Sequence, residues 1–155
     1  MENTPNVSDM ENSSEVIDTE KVPTTDVEET TLTTINMESI LTSIKKLIGY
    51  DEEYTHFDQD IIIFINTTIA TLRQIGIGPQ EGFVIKDSST TWSDYLGETL
   101  LLETVKTYIH LKVKLVFDPP SSSFVLESIK EVIKECECRL NMTAETRGEE
   151  IQNGV

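Results

Sequence analysis

Residues 115–129, with the sequence LVFDPPSSSFVLESI, place two prolines and three serines between two apolar stretches. Pro119 disfavours helical backbone at the residue before it, so a helix arriving from the N-terminal side should end near Phe117. Asp118 or one of the serines 121–123 can cap the helix that follows, and a proline is tolerated in a first helical turn. No histidine with an acidic partner lies nearby in the sequence, which favours a structural corner over a serine nucleophile. The predicted corner consists of Asp118, Pro119, Pro120 and Ser121.

The two segments that this corner joins differ in how their apolar residues are distributed. The segment from about residue 98 to 117 is apolar on nearly all sides, which indicates a central helix with neighbours around it. The segment after the corner has one apolar stripe and an opposite face of Glu and Lys, typical of a surface helix. Because the connection is short, the two helices should pack roughly antiparallel. The stripe consists of Val125, Ile129, Val132, Ile133, Cys136 and Leu140.

Two further helices precede this pair. Apolar residues recur every three or four positions from Ile40 to Ile48, with Asn36 as the expected N-cap and Gly49 placed to end the helix. A second helix should begin with Asp58 as its cap and end by Gly76. Four helices of this length predict a mainly α fold, a small four-helix bundle.

The connection between the second and third predicted helices, residues 77–96, is longer than a bundle needs. Glycines and Pro79 break the helix there, and the short runs FVI and TTW favour extended backbone. The sequence therefore predicts a protruding arm or a short β-hairpin. Trp92 and Tyr95 within it are either a lid over the core or anchors for a partner.

Charge divides the 155-residue chain, whose formal net charge is −16, into unequal parts. Residues 1–35 contain nine acidic side chains, one lysine and no aromatic residue, so we expect a disordered acidic tail. Residues 36–142 should form the helical domain, and residues 143–155 a flexible C-terminal tail. The apolar run Ile61–Ile65 is far too short for a membrane span, and no basic, apolar secretory signal opens the chain. We therefore expect a protein made in the cytoplasm without a membrane association.

The same charge limits the kinds of chemistry to consider. A chain with so few cations is poorly suited to sequence-independent nucleic-acid binding, although acidic proteins can mimic DNA or line passages through which DNA slides. His56 lies among several carboxylates, which is consistent with a metal-dependent enzyme but also with a solvated loop before a helix. Cys136 and Cys138 lack the second pair that a zinc site needs. We predict no catalytic site, metal site or cofactor. The carboxylates near His56 are Asp51, Glu52, Glu53, Asp58 and Asp60.

Four motifs follow one another in a recognisable order: KKLIG at 45–49, HFDQDII at 56–62, STTWSDY at 89–95 and YIHLKVKLVFDPPSSS at 108–123. In this order, residues 37–143 resemble the head–tail connector (adaptor, or head-completion) proteins of tailed bacteriophages, in their small helical branch. The last motif is the most specific of the four, although it has no catalytic meaning. The acidic tail and the short C-terminal tail lie outside the resemblance.

The resemblance implies a structural virion protein in the phage neck, not an enzyme. Such proteins form a ring, usually of twelve copies, beneath the portal protein. The ring extends the DNA channel, through which DNA passes without sequence-specific binding, and it offers a platform to the next neck or tail-completion protein. The resemblance also favours the arm as an oligomer or partner interface through Phe83, Ile85, Trp92 and Tyr95. A rival interpretation is an acidic regulator or DNA mimic that inhibits a nucleic-acid-binding partner.

Overall fold

The computed structural model describes residues 37–97 and 99–152, with side chains up to residue 146. This part of the chain is mainly helical, as predicted, and the expected disorder of residues 1–35 lies outside it. Its elements are α1 (Ile40–Ile48), α2 (Asp58–Gln74), α3 (Trp92–Leu96), α4 (Leu102–Phe117) and α5 (Ser123–Gln152).

Helix α4 is the centre of the fold. It packs against α1, α2 and α5, while α1 also packs against α2. Val105, Tyr108, Ile109 and Val113 of α4 are buried, which confirms the prediction of a central helix with neighbours on several sides. The core around these residues is closed by isoleucines and leucines of α1 and α2 and by Ile133, Cys136 and Leu140 of α5.

Helix α1 begins and ends at local signals. The Ser39 hydroxyl accepts a hydrogen bond from the Thr42 amide at 3.3 Å and so satisfies one of the free donors of the first turn. Gly49, predicted to end the helix, has the left-handed φ of 96° that suits glycine. Asn36, the predicted N-cap, lies outside the described residues, and the cap of α1 is Ser39.

The prediction that Asp58 caps α2 is wrong. Phe57 occupies the N-cap position, no side chain caps this end, and Asp58 is the first helical residue. Its carboxylate lies instead 2.8 Å from the Lys45 ammonium at the end of α1. A buried ammonium needs a counter-charge, which explains why Asp58 points to α1 rather than to its own helix.

The corner at residues 118–122 joins α4 and α5 much as predicted, but of the two predicted kinds of cap for α5 the Asp118 alternative is wrong. Asp118 is the C-cap of α4, where its amide donates to the Lys114 carbonyl, so it does not cap α5. Pro119 and Pro120 lie in the connection, since α5 begins only at Ser123. The Tyr108 hydroxyl lies 3.0 Å from the Glu137 carboxylate, a pairing that the predicted antiparallel arrangement produces.

Residues 77–96 do not form the predicted arm or hairpin. The described residues contain no β-strand, only an isolated antiparallel bridge between Ser39 and Thr91. The segment folds back over the bundle, where Ile77 and Ile85 are almost fully buried. The lid interpretation of this segment is therefore the one that the structure supports.

Asn66 of α2 holds the middle of this lid. Its side-chain amide donates to the Ile85 carbonyl at 2.9 Å, and its side-chain oxygen accepts from the Ile85 amide at 2.8 Å. One asparagine thus satisfies both backbone groups of a residue that has no strand neighbour. The sequence pattern indicates no role for this polar position beyond extending the helix.

Replacing Asn66 by alanine should destabilise the fold by about 2 kcal/mol, because two backbone groups lose their partners. Urea denaturation would measure this loss, and amide hydrogen exchange should become faster at Ile85. Thr67→Ala is the matched control, since Thr67 is exposed and its hydroxyl donates only to its own helix, at Ile63. Equal stabilities of the two variants would contradict a pinning role for Asn66.

Helix α5 extends beyond the predicted domain boundary. The predicted helical domain ends at Met142, but α5 has 30 residues and continues to Gln152. At 1.5 Å per residue it is about 45 Å long, roughly twice the length of α4. The flexible tail predicted for residues 143–155 is therefore helical over 143–152.

Candidate assembly surface

The four residues predicted as an interface do not form an exposed surface. Ile85, Trp92 and Tyr95 are at most 3% exposed, and Phe83 is half-buried with its ring 4.9 Å from that of Tyr95. The Trp92 indole donates to the Ser43 hydroxyl at 2.8 Å, inside the core. Three of the four side chains are therefore covered by the chain itself and are not available as anchors in this fold, and Phe83 is available only in part.

Backbone geometry keeps these side chains in place. The capping box of α3 pairs Thr91 with Asp94, and the start of α3 is tied to α1 because the Trp92 amide donates to the Glu38 carbonyl. Gly78, with φ of 91°, lies so close to the Tyr95 ring that a β-carbon there would approach it to 2.7 Å. Burial raises the pKa of the Tyr95 hydroxyl, which therefore stays neutral.

A different group of rings lies at the surface, where the α1–α2 loop meets the end of α4. The Tyr50 ring stacks on Tyr54 at 6.0 Å, and both contact Phe57 edge-on. The centre of the Phe117 ring lies 5.6 Å from that of Tyr50 and 5.4 Å from that of Phe57. We call this group the aromatic end. It consists of Tyr50, Tyr54, His56, Phe57, Phe64 and Phe117.

None of the six rings is fully buried. Tyr54 is 46% exposed, His56 is exposed, and the other four are partly exposed. Because each ring contacts at least one other in the group, the surface that they present is preformed. Neighbouring rings of this kind are common anchors of protein interfaces.

A buried ion pair holds the aromatic end in place. The Lys45 side chain is only 3% exposed, and its ammonium lies 2.8 Å from Asp58 Oδ1 in an ion pair, not an aligned hydrogen bond. The same ammonium donates to the Glu52 carbonyl at 2.9 Å. The Lys45 ammonium therefore binds the loop between α1 and α2 at two points, at Glu52 within the loop and at Asp58 where α2 begins.

Exposed carboxylates lie between the rings of the α1–α2 loop. Asp51, Glu52 and Glu53 are exposed in the loop, and no lysine or arginine lies between Gly49 and Asp58. The exposed Lys46 ammonium lies 3.9 Å from the Glu52 carboxylate, which is too far for a close ion pair. The aromatic end therefore has a negative rim.

The first three turns of α5 form a second uncovered surface. Phe124 is 80% exposed, and Val125 and Val132 are 42% and 40% exposed. The predicted apolar stripe is thus buried only in its later part, because α4 is the helix that covers α5 and it does so incompletely. Residues 123–140 also carry nearly balanced charge, four acids against three bases.

The cleft between α1 and α4 is lined by an ion pair and a histidine. Glu38 pairs with Lys106 at 3.1 Å, and His110 lies beside them. Burial and the nearby Lys114 ammonium lower the pKa of His110, so its imidazole is neutral at pH 7. Among the side chains described in residues 37–97 and 99–146, no group of three His, Cys, Asp or Glu is placed to hold a metal ion, and this includes the carboxylates near His56.

A known protein family matches most of this part of the chain. A family model described as phage connector protein matches residues 40–147, well over half of the chain. This chain belongs to the phage connector protein family. No curated protein and no solved structure matches it.

Membership gives the connector a structural role at the head–tail junction of a phage, in the virion neck. The family match begins at the first residue of α1 and ends within α5, so it contains both uncovered surfaces. Among the described residues, no helix combines the length and the apolar character required to cross a bilayer.

Sequence reasoning missed the aromatic end of the connector. Residues 50–57, YDEEYTHF, were interpreted as a solvated loop because of their carboxylates. The spacing of three aromatic rings within eight residues was the available signal. Phe64 and Phe117 could not be assigned to the same group, since they are separated from the loop along the chain and only the packing of α4 on α2 unites them.

Proposed function

We propose that the connector forms a ring of copies, twelve as is usual in the family, beneath the portal protein. The ring extends the DNA channel, joins the phage head to the tail and offers a platform to the next neck or tail-completion protein. The observation that carries this proposal is the family match over residues 40–147.

The uncovered face of α5 suits a contact between copies. Phe124 is 80% exposed, a large aromatic area to leave in water. Residues 123–140 have a net charge of only −1 within a chain of −16, so two copies can approach here with little repulsion. In a ring this face meets a different face of the next copy, as head-to-tail contacts require.

The charge of the chain suits a DNA passage. A channel with excess carboxylates repels phosphates, so DNA can move through it without being held. An acidic regulator would share this charge but would not need to assemble into a closed ring.

Electron microscopy and mass photometry of the connector, alone and mixed with its portal protein, test the proposal. We expect rings, and Phe124→Ser with Val125→Ser should abolish them while leaving the helix content unchanged. Val84→Ser is the control, since Val84 is 62% exposed in a different segment. A connector that stays monomeric in both mixtures would contradict the ring, and intact rings in the double variant would contradict the α5 contact.

A further inference from the structure

The aromatic end packs against the core on one side and leaves part of its ring surface exposed on the other, most of all at Tyr54. Five of the ten aromatic residues of the chain belong to it, and none of them is fully buried. Trp92, Tyr95 and Tyr108, in contrast, lie in the core. Tyrosine offers a large contact area with little side-chain entropy to lose, which makes exposed, prepacked tyrosines effective anchors.

The charge around these rings points to a cationic occupant. Asp51, Glu52 and Glu53 are exposed at the rim, while the Lys45 ammonium is engaged by Asp58 and the Glu52 carbonyl. A guanidinium can lie over a tyrosine face and also donate two parallel hydrogen bonds to a carboxylate. Arginine meets both features of this surface, and lysine meets them less well because it lacks the planar fork.

A second copy of the connector fits this surface poorly. Each copy carries a formal charge of −16, so a like-charged chain would have to approach a negative rim. Three cations on the α4–α5 hairpin are paired within the copy, Lys114 with Asp118, Lys130 with Glu127 and Arg139 with Glu135, which leaves fewer of them free for a negative rim. Charge complementarity therefore favours a different protein.

We propose that the aromatic end binds a segment of another head–tail junction protein, and that this segment carries arginine beside an apolar side chain. The apolar side chain packs on Tyr54 and Phe57, and the guanidinium groups pair with the carboxylates of the rim. This proposal deepens the proposed function by naming the chemistry of a partner. It rests on the connector's place in the junction and not on ring formation.

Titration of the full-length 15N-labelled connector with the peptide Arg-Leu-Arg-Leu-Arg, blocked at both ends, tests the proposal by NMR. We expect amide shifts concentrated at residues 50–57 and around Phe117. The lysine version of the peptide should bind more weakly, and the glutamate version should cause no shifts. Shifts spread over all acidic parts of the chain would overturn the proposal, because they would indicate general charge attraction.

Two variants with matched controls sharpen the test. Tyr54→Ser should weaken arginine-peptide binding about tenfold, as loss of an interface anchor does, while Val84→Ser leaves it unchanged. Glu52→Gln with Glu53→Gln should weaken binding and flatten its salt dependence, while Glu131→Gln on the exposed face of α5 does not. Unchanged affinity of Tyr54→Ser would overturn the proposal.

Oligomer size measured on the same variants separates this proposal from the ring. Tyr54→Ser should not alter assembly, since the proposed contact between copies lies on α5. Rings that are lost in Tyr54→Ser, with peptide affinity unchanged, would show that the aromatic end joins copies and would overturn the assignment of a different partner. If no variant forms rings, the proposed ring is contradicted, but the proposed binding of an arginine-bearing segment is not.

Discussion

Trp92→Ser should unfold the connector, and this is the largest effect that we expect from a single substitution. The indole is completely buried, donates to Ser43 and lies below the Lys106 ammonium at 5.8 Å. Truncation of a buried tryptophan costs about 3–5 kcal/mol, a large share of the 5–15 kcal/mol typical of a folded domain. The Ser43 hydroxyl would also lose its donor. Circular dichroism during thermal denaturation should show the transition lowered strongly or absent.

Phe124→Ser is the control for this prediction, because it also removes a large ring but from a side chain that is 80% exposed. Its effect on stability should stay within about 0.5 kcal/mol. If Trp92→Ser instead kept the stability of the unmodified chain and lost only its assembly, the buried lid would be refuted. The interface first predicted from the sequence would then be correct.

Asp58→Ala should have the second largest effect, about 3 kcal/mol, because it leaves the buried Lys45 ammonium without its counter-charge. This is the lower end of the usual cost of removing one partner of a buried ion pair. It applies because the Asp58 side chain is 20% exposed and water can partly replace it. Lys45→Met combined with Asp58→Asn should recover most of the loss, since an apolar side chain then fills the site without an unpaired charge.

Asp60→Ala controls for the general role of an acid in the first turn of α2, where the helix dipole favours negative charge. Asp60 is exposed, so its loss should cost well under 1 kcal/mol in urea denaturation. Equal losses for Asp58→Ala and Asp60→Ala would mean that the ion pair with Lys45 contributes nothing beyond the dipole effect.

Local patterns in the sequence were sufficient for the four long helices and for some of their ends. Gly49 ends α1 because a left-handed residue is needed there, and Pro119 places the end of α4 at Phe117. Apolar residues on nearly all sides of α4 predicted that it is the central helix. These features depend on residues within a few turns of one another, so a linear pattern contains them. The family resemblance was likewise carried by such short motifs, and the family match confirms it.

Only the tertiary structure decided which apolar residues are covered. The Trp92 side chain is buried because Ser43, 49 positions earlier, offers its indole an acceptor, and Asn66 holds the backbone of Ile85 across 19 positions. The aromatic end likewise needs Phe117 beside Tyr50, and Asp58 pairs with Lys45 across a loop instead of capping its own helix. The same apolar side chain can be a lid or an anchor. Its contacts decide between the two, because burial depends on what the rest of the chain places over it.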